Sequence, residues 1–470
     1  MTAKATRTWV LVLTSVASLM VALDALVVTT ALSTIRVDLG ASIEQLEWTV
    51  NAYNLSFAVL LMTAAAVGDR IGQRRMFAAG LGLFVAASAA CALAPDVGWL
   101  IAARAVQGVG AAMITPVALA LLSANYPAEL RGKAMGIFAG ITGLAVLGGP
   151  VVGGAIAQGA AWEWIFWLNV PIGLLAIPLV LRRIPENYGR RARLDFGGLA
   201  LVTGAALGLV WGLVRGNAAG WGSVEVVGAL VAGAVLAVAF VAWELRSSEP
   251  MLPMTFFRSR AFAAGNASVF FLIASLFGAV FFLAQFLQTS LGYGPLDTGL
   301  RLMPWTATLF IVAPIAGSLV NRVGERPLIL GGLLLQAIGM AWIGLIASPG
   351  MAYAEMVPAL VVAGTGVSMA IPATQNVVMS AVPPSEAGKA SGTYNMVRQF
   401  GGVFGIALLV AVFAGAGSYA SAQAFSDGFA PAIGVTAGLA LVGALTALAL
   451  PGRREAIAPA RATAIAEAAR

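Results

Sequence analysis

The sequence predicts an all-α integral membrane protein with fourteen transmembrane helices. Of its 470 residues, 60% are hydrophobic and only 10% are charged, whereas soluble domains usually contain about 25% charged residues. The mean hydropathy is +0.91. A bilayer-crossing helix needs roughly 20 mostly apolar residues, and fourteen stretches of about this length are separated by short polar turns.

These stretches are numbered spans 1 to 14 in chain order. The first follows Lys4 and Arg7, as in a cleaved signal sequence, but it is longer than the apolar part of such a sequence and thirteen further spans follow. It is therefore predicted to remain as a membrane helix. The stretches cover approximately residues 9–33, 48–67, 76–95, 99–123, 135–157, 164–181, 196–214, 223–243, 262–287, 299–320, 328–347, 356–379, 397–415 and 429–450.

The positive charges predict the orientation. If both termini are cytoplasmic, all but four of the 27 Lys and Arg residues fall on cytoplasmic segments. Arg36, Arg215 and Arg301 fall outside, and Arg104 lies within span 4. This asymmetry obeys the positive-inside rule, so we expect a multi-pass protein of the cell (inner or plasma) membrane. The net charge of +7 is explained by topology, and no nucleic-acid partner is predicted.

Few residues are available for catalysis or metal binding. The sequence has no histidine and a single cysteine, Cys91, so the commonest metal ligand is missing and no disulfide can form within the chain. The sequence contains no paired intramembrane carboxylates, metal-ligand cluster or glycine-rich phosphate loop. We therefore predict that the protein is not an enzyme and has no catalytic residue, metal or cofactor.

Two cytoplasmic turns of the first half recur in the second half. "DRIGQRR" (69–75) resembles "NRVGERP" (321–327), and "PAELRGKAMG" (127–136) resembles "PPSEAGKASG" (383–392), at offsets of 252 and 256 residues. Two matches at nearly one offset indicate a duplicated unit of six spans, with spans 7 and 8 as an insert. Two parallel halves with a substrate site between them are typical of transporters.

The repeat divides the chain into four predicted parts, with the two bundles related by a pseudo-two-fold axis. The insert is expected to pack outside the transport path, because the repeat is complete without it. The parts are an N-terminal six-helix bundle (1–183), a two-helix linker insert (184–255), a C-terminal six-helix bundle (256–450) and a cytoplasmic basic tail (451–470).

Asp24 and Arg104 are the only formal charges predicted to lie deep in the spans. A charge at a helix centre costs roughly 2.5–3.5 kcal/mol on insertion scales, so it normally faces a cavity or a partner. One interpretation is a static salt bridge that fixes the packing of spans 1 and 4. The preferred interpretation is a proton site, because burial favours a neutral carboxyl group and a nearby arginine favours the carboxylate.

The C-terminal half offers aromatic and amide side chains in place of charges. Phe277, Phe281 and Gln285 share one face of span 9, and Gln288 extends it. Apolar walls with a few orienting polar groups suit lipophilic ligands, although core packing and interhelical hydrogen bonds would use the same residues. The predicted substrate cavity consists of Asn51, Asn54, Gln107, Phe277, Phe281, Gln285, Trp305 and Gln375.

Small residues in "GGPVVGG" (148–154) predict close helix packing in span 5. Glycines four residues apart let helices approach closely, and a proline removes a backbone hydrogen bond and favours a bend. Tight packing alone would also explain the pattern. The residues concerned are Gly149, Pro150, Gly153 and Gly154.

The turn "GDRIGQRR" has two interpretations. It is either a solvated basic stop signal or a cytoplasmic gate that holds the two bundles together and releases them as the protein rocks. In the repeated turn Asn321 takes the place of the acidic residue and carries no charge, so such a gate should be asymmetric. The predicted gate residues are Asp69, Arg70, Gly72 and Arg74.

Five segments resemble the major facilitator superfamily, and within it the fourteen-span drug:proton antiporter branch, over essentially the whole chain. The sequence departs from the family pattern at Ala65, Ala145 and Ser33, where two glycines and a proline are usual. The segments are "LDALVVTTAL" (23–32), "WTVNAYNLSFAVLL" (48–61), "AAAVGDRIGQRR" (64–75), "RAVQGVGAA" (104–112) and "GGPVVGG" (148–154).

The resemblance implies export of lipophilic drugs or antibiotics in exchange for protons by alternating access. It also implies that span 5 seals one face during the exchange. A proton-coupled symporter for a small nutrient is the alternative within the superfamily, and a membrane-embedded transferase is disfavoured. Expected partners are small lipophilic solutes, neutral or monocationic, together with protons and the lipid bilayer; a periplasmic adaptor is left open. With Asp24 as the single buried acid, divalent cations should be handled poorly.

Overall fold

The computed structural model describes residues 3–189, 194–383 and 386–452. This part of the chain contains helices and connections without a β-strand, and 14 helices are long and apolar enough to cross a membrane. The predicted all-α membrane fold is confirmed, whereas the predicted basic tail lies outside the described residues from position 453 onward. The spans are Lys4–Leu39, Ile43–Ile71, Gln73–Ala92, Val97–Asn125, Lys133–Gly159, Trp164–Arg183, Phe196–Ala219, Val224–Arg246, Arg260–Thr289, Pro295–Val320, Glu325–Ile346, Tyr353–Ser380, Ala387–Ala416 and Ala422–Leu448.

Two spans are interrupted helices. Span 6 consists of Trp164–Trp167 and Asn169–Arg183, and span 10 consists of Pro295–Arg301, Met303–Thr306 and Thr308–Val323. A break in a membrane helix leaves backbone N–H and C=O groups without their helical hydrogen-bond partners. Such breaks occur where the surrounding protein or a water-filled cavity can satisfy these groups. The break in span 6 brings an asparagine into the interior of the N-terminal half.

Several helices extend beyond the apolar stretches that predicted them. Span 2 begins at Ile43 instead of about 48, and span 13 begins at Ala387 instead of about 397. Span 2 begins with a capping box, in which the Ser42 hydroxyl accepts a hydrogen bond from the Gln45 backbone N–H (3.2 Å) and the Ser42 N–H donates to Gln45 Oε1 (2.9 Å). Hydropathy does not detect such polar first turns. As a result, several charged residues that were predicted to flank spans lie inside helices, Glu47 of span 2 among them.

The two repeated turns end their helices with glycine. Gly72 has φ +110° and Gly324 has φ +88°, backbone conformations that other residues rarely adopt. These glycines are 252 residues apart, the offset at which the two turns match. The duplicated sequence therefore produces the same local backbone geometry in both halves.

Spans 1 to 6 pack mainly with one another, and so do spans 9 to 14. Span 4 packs against spans 2 and 3, span 1 against span 5, span 9 against spans 13 and 14, and span 11 against span 12. Spans 7 and 8 pack together, and span 7 also contacts both spans 2 and 13. Val210 and Val214 of span 7 join a buried cluster with Leu55 and Val403. The insert therefore lies beside the junction of the two halves.

The two halves meet through spans 1 and 9, spans 5 and 10, and spans 2 and 13. The end of the molecule where span 1 ends, at Leu39, is called the outer end below, and the end where span 2 ends, at Ile71, the inner end. These names follow the orientation predicted from the positive charges. Span 5 contacts the outer segment of span 10, Pro295–Arg301.

Candidate transport site

Asp24 lies at the centre of a polar cluster inside the N-terminal half. Its side chain is 3% exposed and accepts hydrogen bonds from three residues on two other helices. Arg104 Nη1 donates to Oδ2 in a buried ion pair, and Gln107 Nε2 (2.8 Å) and Asn169 Nδ2 (2.9 Å) donate to Oδ1. Spans 1, 4 and 6 therefore converge on a single carboxylate, which is stabilised as an anion by one positive charge and two amide donors.

Arg104 is held from several directions and is fully buried. Besides Asp24, it donates from Nη1 to Gln107 Oε1 (2.7 Å) and from Nε to the Thr49 carbonyl oxygen (3.1 Å). Its guanidinium group lies 4.2 Å from the centre of the Tyr53 ring, an arrangement that favours a desolvated cation. Arg104 Nη2 has no partner among the described residues, so the cluster retains an unused donor next to the acid.

The sequence did not identify Asn169 as a site residue. It begins the second segment of span 6, is 3% exposed, and donates to Ser88 Oγ (3.0 Å) as well as to Asp24. Ser88 in turn donates to the Phe166 carbonyl oxygen (2.9 Å) at the end of the first segment. The interruption of span 6 therefore connects directly to the acid. The available signal was that Asn169 is the one amide in an otherwise apolar span.

The expectation that Asp24 is the single buried acid is wrong. Glu47 is fully buried in span 2. Its Oε1 accepts a hydrogen bond from Asn51 Nδ2 (2.9 Å), while its Oε2 and Asn51 Oδ1 have no partner among the described residues. Glu244 of span 8 is a further buried acid, 2% exposed, and accepts from the Leu252 backbone N–H (3.0 Å). Both were missed because the apolar stretches that predicted their spans end short of them.

The predicted cavity residues do not gather around one space. Gln107 belongs to the Asp24 cluster, whereas Gln285 lies near the outer end, where it accepts a hydrogen bond from the Tyr419 hydroxyl. Gln375 is exposed near the inner end of span 12. Their role in substrate binding stays a prediction. The other five are buried or partly buried among packed helices: Asn51, Asn54, Phe277, Phe281 and Trp305.

Polar contacts close the outer end between the two halves. Gln288 of span 9 donates from Nε2 to the Thr30 carbonyl oxygen (3.0 Å) and accepts from the Ser33 hydroxyl. The Arg36 guanidinium group lies 4.1 Å from the centre of the Tyr419 ring. Burial raises the pKa of the Tyr419 hydroxyl, against the opposing effect of the Arg36 charge. Arg36 and Tyr419 also line an outer cavity of about 360 Å³.

The glycines of span 5 separate into two sets of contacts. A Cβ at Gly149 would lie 2.8 Å from Leu26 Cβ, and one at Gly153 would lie 2.6 Å from the Val27 carbonyl oxygen, so both pack against span 1. A Cβ at Gly154 would instead lie 2.2 Å from the Pro295 carbonyl oxygen of span 10. The contact is reciprocal, because a Cβ at Gly299 would lie 2.2 Å from the carbonyl oxygen of Pro150.

The residues of the turn after span 2 contact one another and the start of the predicted linker insert in this conformation. Asp69 accepts a hydrogen bond from Gln73 Nε2 (2.9 Å). Glu186 accepts from the Arg74 backbone N–H (2.8 Å), pairs with the Arg74 side chain (3.5 Å), and lies against Gly72. Arg70 is exposed. Glu186, which follows span 6, was not predicted as a partner of the turn.

Two packed six-helix halves, one of which holds a buried acid–arginine pair among its spans, are the architecture of a membrane transport protein. A family model described as "Major Facilitator Superfamily" matches residues 14–406. The chain belongs to the major facilitator superfamily, as its motifs predicted, and it is a transport protein and not an enzyme.

Relatives of known name cover most of the chain. Multidrug resistance protein Stp of Mycobacterium tuberculosis is 36% identical over 411 residues, 87% of this chain and 76% of its own length. The tetracenomycin C resistance and export protein of Streptomyces glaucescens is 35% identical over 407 residues, which are 86% of this chain and 75% of the relative's length. Puromycin resistance protein pur8 of Streptomyces alboniger is 36% identical over 417 residues, which are 87% of this chain and 82% of the relative's length.

Solved structures share the fold at low sequence identity. A peptide transporter POT in complex with sulfate has a TM-score of 0.69 at 15% identity, covering 94% of both chains. A bacterial homologue of the human lysosomal transporter Spinster has a TM-score of 0.69 at 18% identity, covering 95% of this chain and 97% of its own. At these identities the likeness concerns the fold alone.

Proposed function

We propose that the protein exports small lipophilic drugs or antibiotics across the cell membrane in exchange for protons. The observation that carries this proposal is the Asp24 cluster, a buried carboxylate of span 1 that accepts hydrogen bonds from three polar side chains of spans 4 and 6. Relatives at 35–36% identity are named for drug resistance or antibiotic export, which supports outward transport of such compounds.

In the proposed cycle Asp24 takes up the driving proton. Protonation removes the negative charge that offsets Arg104, and an unpaired buried arginine is costly. The protonated cluster therefore favours a different arrangement of spans 1, 4 and 6, while the unprotonated cluster favours the one described above. A site that opens to one side of the membrane at a time couples this change to solute movement.

The remaining features of the proposal concern topology and substrates. Both termini are cytoplasmic, residues 1–183 and 256–450 are the moving bundles, and residues 184–255 are a linker between them. The turn that contains Asp69 acts as the inner gate, and span 5 seals the outer side through Gly154. Substrates are lipophilic, no cofactor is needed, and the proton gradient supplies the energy.

The test compares Asp24→Asn with Asp38→Asn in inside-out membrane vesicles. Both variants neutralise an aspartate of span 1, but Asp38 lies near the outer end and pairs with the Trp162 indole N–H (2.7 Å). We expect Asp24→Asn to abolish proton-driven dye uptake into the vesicles while leaving membrane levels and dye–dye exchange intact. Asp38→Asn should retain proton-driven uptake.

Three outcomes separate the alternatives. Full proton-driven uptake in Asp24→Asn would contradict the proton-site assignment. Loss of the protein from the membrane in that variant, together with normal coupling in what remains, would favour the static salt bridge. Proton-driven accumulation in right-side-out vesicles, in place of inside-out ones, would favour the symporter.

A further inference from the structure

Arg398 lies inside the C-terminal half, deep in span 13. It is the twelfth residue of the helix Ala387–Ala416, so the rise of a helix places it about 16 Å from Ala387 and about 27 Å from Ala416. The apolar stretch that predicted span 13 begins at about 397, so the sequence placed this arginine at the cytoplasmic edge of the span. In the structure the helix begins ten residues earlier, and the C-terminal half therefore contains a cation well inside one of its helices.

The neighbours on the helix show which way Arg398 faces. Residues three, four and seven positions away lie on the same side of a helix. On this side Gly401 lies against the Phe270 backbone of span 9, and Gly405 lies against the Ala274 backbone of the same span. Arg398 therefore faces the interior of the C-terminal half, and neither the lipid nor the junction with span 2.

Arg398 forms no ion pair with any residue that the structure describes. Its side chain is partly exposed, and its Nε atom is buried without a hydrogen bond among the described residues. Glu325 accepts a hydrogen bond from Asn376 Nδ2 (2.8 Å) and is not paired with Arg398. An unpaired arginine at membrane depth is rare and normally faces a water-filled space or a ligand.

Polar groups of span 12 lie about one helical turn inward of Arg398. The Tyr394 hydroxyl, one turn from Arg398, forms a hydrogen bond with Thr374 Oγ1 (3.2 Å). The residue after Thr374 is Gln375, whose side chain is exposed. Span 12 thus presents an exposed amide about one to two turns inward of the Arg398 backbone, the direction in which side chains lean toward the start of span 13. A cation and an amide beside apolar walls fit the acidic group of an amphipathic solute.

We propose that Arg398 binds the carboxylate of an anionic lipophilic solute, with Gln375 as a second donor to the same group. This inference rests on the proposed export function, whose substrates it extends to acids held in the C-terminal half. The driving proton binds at Asp24, in the other half, so the solute anion and the proton occupy separate places in the protein.

The test uses three pyrene derivatives that share one ring system: pyrenebutyrate, pyrenebutanol and pyrenebutyltrimethylammonium. Binding is measured with the purified full-length protein by energy transfer from tryptophan, and proton-driven uptake in vesicles of zwitterionic lipid alone. The variants are Arg398→Gln, Arg398→Lys and the control Lys389→Gln. Lys389 is an exposed cation on the same helix.

We expect Arg398→Gln to weaken pyrenebutyrate binding by at least about tenfold, the ratio that one charge-assisted hydrogen bond supports. Binding of the alcohol and the ammonium should change by less than about twofold. Arg398→Lys should retain part of the anion binding, and Lys389→Gln should resemble the parent protein. Gln375→Ala should weaken anion binding to a smaller extent.

Several results would overturn the inference. An equal loss for all three compounds would show a structural role for Arg398. Failure of the parent protein to bind pyrenebutyrate, with the ammonium bound and exported, would refute the anion site and leave the export function standing. Anion binding that appears only when acidic lipid is removed would show that lipid phosphate is the ligand of Arg398. If the parent protein binds the anion but exports none of the three compounds, the export function fails while the site stands.

Discussion

Gly154→Ala should shift the protein away from the conformation in which its outer end is closed. Gly154 belongs to the N-terminal half and touches the Pro295 backbone of the C-terminal half. The new methyl group would meet this backbone only when the halves are together at the outer end. Separation of spans 5 and 10 relieves the clash, so the substitution penalises one conformation selectively.

The contact distance sets the magnitude. The new Cβ would lie 2.2 Å from the Pro295 carbonyl oxygen, where ordinary contacts begin at 3.4 Å. The obstacle is backbone, so the two spans must separate by about 1 Å. Overpacking of this kind costs about 1–3 kcal/mol, which changes a two-state population ratio by roughly 5- to 150-fold.

Two neighbouring glycines provide matched controls. Gly148→Ala adds the same methyl group where nothing lies within 4 Å, and Gly153→Ala adds it against Val27 of span 1, in the same half of the molecule. Gly153→Ala should lower stability without changing the balance between conformations, because both partners move together. Gly148→Ala should resemble the parent protein.

Spin labels at Val37 and Gln423, exposed at the outer end on opposite halves, report the separation by electron–electron distance measurements. The single native cysteine, Cys91, is buried and would be replaced in all variants compared. We expect Gly154→Ala to increase the long-distance population in detergent and in nanodiscs. An unchanged distance distribution, or the same change in Gly153→Ala, would refute the argument that this contact closes the outer end.

Two further predictions concern the buried acids. Asn169→Ala removes one hydrogen-bond donor from the Asp24 carboxylate and should lower the free energy of unfolding, measured by chemical denaturation, by about 1.5–3 kcal/mol. The control is Ser88→Ala, which leaves Asp24 and its three donors in place. If Asn169→Ala lowers the free energy of unfolding no more than Ser88→Ala does, the prediction is wrong. Glu47 is a second buried acid, so the poor handling of dications expected from a single acid no longer follows. Any growth protection against dicationic biocides should disappear in Glu47→Gln while monocation resistance is kept. Equal dication protection with and without Glu47 would show that this acid does not contribute.

The fold was predictable because its main signals are local. Fourteen apolar stretches specify fourteen helices whatever their packing, and the repeated turns identify the two halves. The helix ends were less predictable, since polar first turns such as that of span 2 are stabilised by Ser42 and Gln45 and not by hydropathy. The misplaced start of span 2 hid Glu47, which lies inside the helix Ile43–Ile71. The misplaced start of span 13 put Arg398 at the edge of its span, whereas it is the twelfth residue of the helix.

The site was predictable only in part. Asp24 and Arg104 stand out because a charge in an apolar span is costly and needs a partner, and the structure brings them together. Asn169 and Ser88 carry no such signal, because a single amide or hydroxyl is common in membrane helices. Likewise, Glu186 is 112 residues from Arg74 in the chain, and only tertiary packing pairs it with the turn.

The charge of the solute decides how much the membrane potential contributes to the proposed exchange. One positive charge that crosses an inside-negative membrane inward gains about 2.3 kcal/mol per 100 mV. Exchange of one proton for a neutral solute moves one charge, exchange for a monocation moves none, and exchange for an anion moves two, or about 4.6 kcal/mol per 100 mV. An anion held at Arg398 would therefore be exported with the largest driving force, although it lies in the half of the protein that has no role in binding the proton. A monocation would depend on the pH gradient alone, so collapse of the potential at constant pH gradient should slow export of the anion and leave that of the monocation unchanged.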